Sequence, residues 1–187
     1  MVTETLIHKF NIETYHRLIS TGILHEDDRV ELIEGRIVDM TPIGTRHSAC
    51  VNRLNSLFGR KLQARAIVSI QNPVLLLKDE SEPEPDITLL KYREDFYSDK
   101  LPKVEDVLLL IEVADTSVEY DKGIKIPLYA RANIQEVWLV NLLENSIEIF
   151  SSPSAGGYKF SLTVRNDQTI SPKAFPDISL TAKQILG

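Results

Sequence analysis

The chain has 187 residues, 43% hydrophobic and 26% charged, with a formal net charge of −6 and a single cysteine, Cys50. That is the length and composition of one soluble globular domain spanning residues 1–187. It excludes an internal disulfide, a cysteine-based zinc set, a membrane span of about 18 apolar residues and, in Met1 to Asn11, the layout of a secretory signal; a cytoplasmic protein is expected.

In chain order, residues 11 to 21 predict a short helix, capped by Asn11, with Tyr15, Leu18 and Ile19 on its apolar side and Gly22 ending it. Val30 to Met40 reads as two short strands around a Glu34-Gly35 hairpin turn, and Thr41-Pro42-Ile43-Gly44 breaks the second. His47 to Ala64 is the clearest helix, because Val51, Leu54, Phe58 and Leu62 recur at three- and four-residue steps. Arg46, Arg53 and Arg60, spaced by seven, line a second face of it. From Thr41 to Lys78 there is no acidic residue, and six basic ones carry +6, which leaves −12 for the rest of the chain. A local basic face on an acidic protein is therefore available for phosphate contact, although such a stripe is more often a solvated surface.

Ile67 to Ile70, Val74 to Leu77 and Asp86 to Leu90 read as strands, with an acidic loop and Pro83 and Pro85 between the last two. Lys91 to Val107 is charged and irregular, a surface loop with one helical turn. Leu108 to Val113 is a buried strand. Asp115 to Glu119 is a turn and helix start, and the next helix runs roughly from Asp121 to Arg131; Pro127 fits it in the first turn, and deeper in it would kink the helix. Glu136 to Asn141 and Ile147 to Phe150 are strands joined by Leu142 to Ser146. After Gly156-Gly157 comes a last strand, Tyr158 to Val164, and the tail from Pro172 forms a closing loop and short helix. The order predicts an α/β (α+β) mixed sheet with helices packed on it.

Glu112 interrupts the most apolar strand. A carboxylate buried there costs several kcal/mol, by order of magnitude, unless it is paired or holds a cation. Two compensations are open: a cation shared with Asp86, or the ammonium of Lys125. On the strand, Leu108, Leu110 and Glu112 share one face, and Asp86 starts a strand whose face carries Thr88 and Leu90. If those strands are neighbours, the two carboxylates converge. Oxygen ligands of this kind suit magnesium or manganese. Asp121, Lys125 and Tyr129 share a helix face. A lysine aimed at such a site neutralises charge in a phosphoryl transition state, so the set supports metal-assisted phosphodiester hydrolysis.

Taken together, Val30-Glu-Leu-Ile-Glu-Gly35, Thr41-Pro42, His47, Pro85-Asp86-Ile87, Ile111-Glu-Val-Ala-Asp-Thr-Ser117, Asp121 with Lys125 and Tyr129, and Ile134-Gln-Glu-Val-Trp-Leu-Val140 extend over most of the chain. As a set they resemble the Uma (Uma-two) family of restriction endonucleases, within the PD-(D/E)XK nuclease superfamily. The resemblance implies a restriction-endonuclease-like fold and a Mg2+- (or Mn2+-) dependent endonuclease acting on DNA. It implies Asp86 and Glu112 as metal ligands. Ala114 stands where the superfamily's catalytic lysine is usual, and the resemblance assigns that role to Lys125 from the next helix. It adds an acid from the early hairpin, Glu31 with Glu34 second, and His47. A homodimer follows partly from the resemblance and partly because cutting both strands favours two sites about a two-fold axis. Two other readings stay open: an inactive nuclease-fold module for DNA binding or assembly, and a metal-dependent hydrolase of smaller phosphoesters.

Overall fold

In the computed structural model, which describes residues 7–25 and 27–187, the first element is α1 (Ile12–Ser20). The first six residues, part of the stretch read above for a signal, lie outside the described residues. The Asn11 side chain accepts a hydrogen bond from the Thr14 N–H at 2.8 Å and starts the helix. Tyr15 is buried, while Ile19 is exposed because the helix lies on the surface.

The hairpin β1 (Val30–Ile33) and β2 (Arg36–Asp39) turns through Glu34 and Gly35, whose φ values are +50° and +76°. Positive φ at both central residues gives the turn the twist of the strands it joins. Gly35 has a second constraint. A Cβ there would stand 2.8 Å from the Phe10 carbonyl oxygen and 2.9 Å from Lys9 Cβ, and the Gly35 carbonyl accepts the Phe10 N–H at 2.8 Å. Gly35→Ala is therefore expected to destabilise the protein by about 1–3 kcal/mol, read as a lowered urea midpoint with unchanged slope.

Next comes α2 (Thr45–Leu62), which buries Cys50, Val51, Leu54, Phe58 and Leu62. It leads into β3 (Ala66–Ile70), β4 (Ile87–Lys91) and β5 (Val107–Ala114). A helical run then passes from α3 (Val118–Tyr120) through a π-helical turn (Asp121–Lys125) to α4 (Ile126–Arg131). The chain closes with β6 (Glu136–Asn141), β7 (Ser146–Ser154), β8 (Gly157–Val164), the small ladder β9 (Thr169–Ile170) with β10 (Leu180–Thr181), and α5 (Ala182–Leu186).

The main sheet has the order β3-β4-β5-β6-β7-β8. Only β5 and β6 are parallel, as the helical crossover between them requires; every other neighbouring pair is antiparallel. One face packs under α2 and α5, where Phe58 and Trp138 meet at 6.1 Å between ring centroids. The other packs against the crossover, with Leu110, Leu128, Tyr129, Val137 and Leu139 fully buried. Among the described residues no helix is long and apolar enough to cross a membrane.

Three expectations are corrected. Val74 to Leu77 is not a ladder strand: Leu75 bridges to Lys103 and Leu76 to Ser81 in isolation, and the chain turns back at Glu80 with φ +44°. Val74 and Leu76 are buried against the crossover face, so the run is apolar because it is a covered loop. Leu108 does not share a face with Leu110. The β4–β5 register shifts between Leu89 and Leu90, and Leu108 becomes a bulge packed on the α2 side, leaving Leu110 and Glu112 together. The helical run starts at Val118, within the helix start expected at Asp115 to Glu119, and continues without a break through Asp121, so Pro127 lies deep inside the run and not in a first turn. Proline offers no N–H and crowds the carbonyl four residues back. The run widens to a π turn there, with the Ile126 N–H bonded to the Asp121 carbonyl.

Candidate functional site

Extending the β4–β5 register one step past Ile87↔Ile111 sets Asp86 opposite Glu112, on the same face of the sheet. Directly opposed residues on antiparallel strands hold their Cβ atoms about 4.5–5.5 Å apart. Asp86 ends the ladder with its side chain: the Val113 N–H, left without a strand partner, donates to Asp86 Oδ2 at 2.9 Å. His47 Nε2 stands 3.0 Å from the same oxygen, and the Gln71 side-chain amide donates to Oδ1 at 3.2 Å. The carboxylate is thus fixed from β5, from α2 and from the end of β3.

Glu112 is held from the crossover. The Tyr129 hydroxyl donates to its Oε1, and Lys125 Nζ lies 3.4 Å from that oxygen. Lys125 also contacts Glu31 Oε2 of β1 at 3.0 Å. The Glu84 N–H donates to the same Glu31 oxygen at 3.3 Å. The π turn keeps Asp121 and Lys125 four residues apart on one side of the run, both buried, and the Ser117 hydroxyl donates to Asp121 at 2.6 Å. Asp86, Glu112, Lys125, Glu31, His47 and Asp121 line one cavity of about 430 Å³.

The charge in this cavity is unbalanced. Burial pushes Glu112 up to about 8; Lys125 pulls against it, while Asp121 and Asp86 add to the push. Asp121 is raised by burial against the Ser117 hydrogen bond and Lys125, and Glu84 by burial and by Glu31. Burial alone would lower Lys125, but Glu112, Glu31 and Asp121 more than offset it and keep it protonated. Burial likewise opposes a charged His47, yet its hydrogen bond to Asp86 and the charges of Asp86, Asp115 and Asp121 raise it. With Glu31, Glu84, Asp86 and Asp121 beside one buried ammonium, and with Glu112 held towards its protonated form by burial and by neighbouring acids, added positive charge in the pocket is favourable and would draw the proton from Glu112.

The donor set fits a hard divalent cation. Asp86, one residue before β4, and Glu112 of β5 offer carboxylate oxygens, and the surrounding acids supply negative charge. Among the described residues no three His, Cys, Asp or Glu side chains gather into a full coordination cage. Two carboxylates are what magnesium ordinarily takes from a protein, the rest of its shell being water and phosphate oxygens.

Of the residues singled out from the sequence, the structure brings Asp86, Glu112, Lys125, Glu31 and His47 to one cavity. Glu34 lies elsewhere, paired with Arg131 at the hairpin turn. The arginine stripe divides. Arg46 sits at the cavity's side, 3.5 Å from Asp115, and donates to the Leu142 carbonyl. Arg53 is tied to the carbonyls of Ile185 and Leu186 and anchors the C-terminal helix. Arg60 donates to Ser56 on its own helix. Gln71 and Glu84 escaped the sequence reading. Gln71 follows a strand end at φ +48°, a detail that its residue type does not signal. Glu84 lies one residue before Pro85-Asp86, and that adjacency was the available clue.

Over residues 12–183 the chain matches a family model described as "Uma2: Putative restriction endonuclease". No curated protein matches it. Among solved structures it is similar to the crystal structure of a "putative nuclease belonging to DUF820" from Anabaena variabilis. The TM-score is 0.72 at 17% identity, over 89% of this chain and 94% of that one. At that identity the likeness shows a shared fold.

Proposed function

The chain belongs to the Uma2 family, and from that premise we propose that it is a metal-dependent endonuclease hydrolysing phosphodiesters in DNA. The observation that carries the reading is that Asp86, bonded to the Val113 N–H next to Glu112, and Glu112 itself line one cavity that also receives Lys125. Asp86 and Glu112 would hold Mg2+ or Mn2+. When bound, the ion supplies Lewis acidity and offsets the charge of the phosphate. The chain's own groups do the rest. Val113 N–H, His47 and Gln71 keep the Asp86 carboxylate aimed into the cavity, and Tyr129 does so for Glu112. Glu31 orients the Lys125 ammonium, which stays charged and faces the position where negative charge grows on the phosphoryl oxygens. Arg46 and Arg60, both exposed, would meet the DNA backbone, with Arg53 holding the helix that presents them. Two copies would serve the two strands of a duplex.

Supercoiled plasmid incubated with the purified protein tests this. Nicking is expected in Mg2+ or Mn2+ and none in EDTA. The same ions should raise Tm, by an amount equivalent to about 2.7 kcal/mol at a hundredfold excess over Kd. A folded protein that gains no stability from any divalent ion and cuts with none would end the metal reading. Cleavage confined to small model phosphoesters would reassign the substrate.

A further inference from the structure

We propose that β8 is the surface on which two copies of this chain pair edge to edge, about a two-fold axis at Ser161. Strand β8 closes one side of the six-stranded sheet and runs for eight residues. Residues 159–163 are all exposed, and they include Phe160 at 66% and Leu162 at 59%. Pairing with β7 uses one side of the β8 backbone, so among the described residues the outward row of N–H and C=O groups has no strand beside it. Proteins guard such rows with charges, proline or bulges. Strand β8 has no proline, one charged residue, Lys159, and an unbroken register with β7 from Phe160 to Val164. The other edge, β3, is five residues long and nowhere fully exposed.

The occupant that suits this edge is the same edge of a second chain. Antiparallel pairing centred on Ser161 sets Phe160 against Leu162 of the partner, twice, and Lys159 against Thr163. Aromatic–aliphatic pairs directly opposed are among the favourable cross-strand contacts. Phe160 and Leu162 share the sheet face of Ile149 and Val164, which pack under α2, so the contact continues the apolar layer of each protomer. Charge agrees with this register. The two copies of Lys159 stand four residues apart along the ladder, about 13 Å, beyond the screening length in salt. Diagonally opposite Lys159 lies Arg165, which is already neutralised by Glu144 at 3.2 Å. Each catalytic cavity is built from one chain, so the pairing stands independently of the catalytic reading.

Light scattering on the full-length protein is expected to give twice the 21.2 kDa chain mass. Phe160→Asp with Leu162→Asp should weaken the dimer on the order of a hundredfold or more and leave metal-induced stabilisation of each chain unchanged. Cys50 is buried and is the chain's single cysteine, so Ser161→Cys reports the axis: mild oxidation should link it to its twin, while Lys159→Cys stays unlinked. The proposal is overturned by a monomer at tens of micromolar, by a dimer indifferent to the two aspartates, or by Lys159→Cys linking as readily as Ser161→Cys.

Discussion

Glu112→Gln is expected to lower DNA cleavage by about a thousandfold or more while leaving the metal-free protein at least as stable as the parent. The two halves of that result have one cause. Glu112 is buried in an apolar strand beside Asp86 and Asp121, and burial already pushes its carboxyl up to about 8. An amide of the same shape removes the cost of desolvating a charge. Tyr129 still has an oxygen to donate to, and Lys125 still has Glu31. What the amide cannot do is offer the second anionic ligand that the proposed cation would take beside Asp86. The rise in Tm on adding Mg2+ or Mn2+ should therefore disappear together with cleavage. A Glu112→Gln variant that cuts within tenfold of the parent, or keeps its ion-induced stabilisation, would show that the cation sits elsewhere.

The parts of the fold that could be read from residues are those where one rule dominates. The Leu54, Phe58, Leu62 repeat admits only a helix, and Glu34-Gly35 between short apolar runs admits a tight hairpin. Family and fold were legible through motifs spread over most of the chain, and the match over residues 12–183 agrees with that reading. Where two rules competed, tertiary context decided. Val74 to Leu77 is apolar enough for a strand, but it is buried by a loop's path. Leu108 leaves its expected face because a bulge consumes one residue of the period-two alternation. Pro127 lies deep in a helical run that survives by widening one turn. The site shows the same division. Glu112 stands out because a carboxylate in an apolar strand needs a reason, and Asp86 through the Pro85-Asp86 motif that the family resemblance carries. Gln71 is invisible beforehand, since its contact with Asp86 depends on where β3 ends and on a positive φ. Arg53 had the spacing of a surface stripe, yet the terminal helix, far along the chain, claims it.

Lys125→Met should destabilise the metal-free protein by roughly 3–5 kcal/mol and lower cleavage by about a hundred- to a thousandfold. Lys125 is nearly as buried as the acids that it joins, 3.0 Å from Glu31 and 3.4 Å from Glu112. Methionine matches its stem and removes the buried ammonium from among the carboxylates lining the cavity. The acids must then take up protons or separate, and either response costs folding free energy. If Lys125 acts mainly by compensating Glu112, the two substitutions must couple: in a Glu112→Gln background Lys125→Met should cost clearly less than in the parent. Added Mg2+ separates structure from catalysis. On the proposed reading, a cation held by Asp86 and Glu112 should return part of the lost stability, because it would replace positive charge in the same pocket, but not the rate, because the ammonium proposed to face the phosphoryl oxygens would still be missing. Recovery of both would reduce Lys125 to a counter-ion. Additive costs in the double variant would mean that Lys125 and Glu112 are neighbours without being partners.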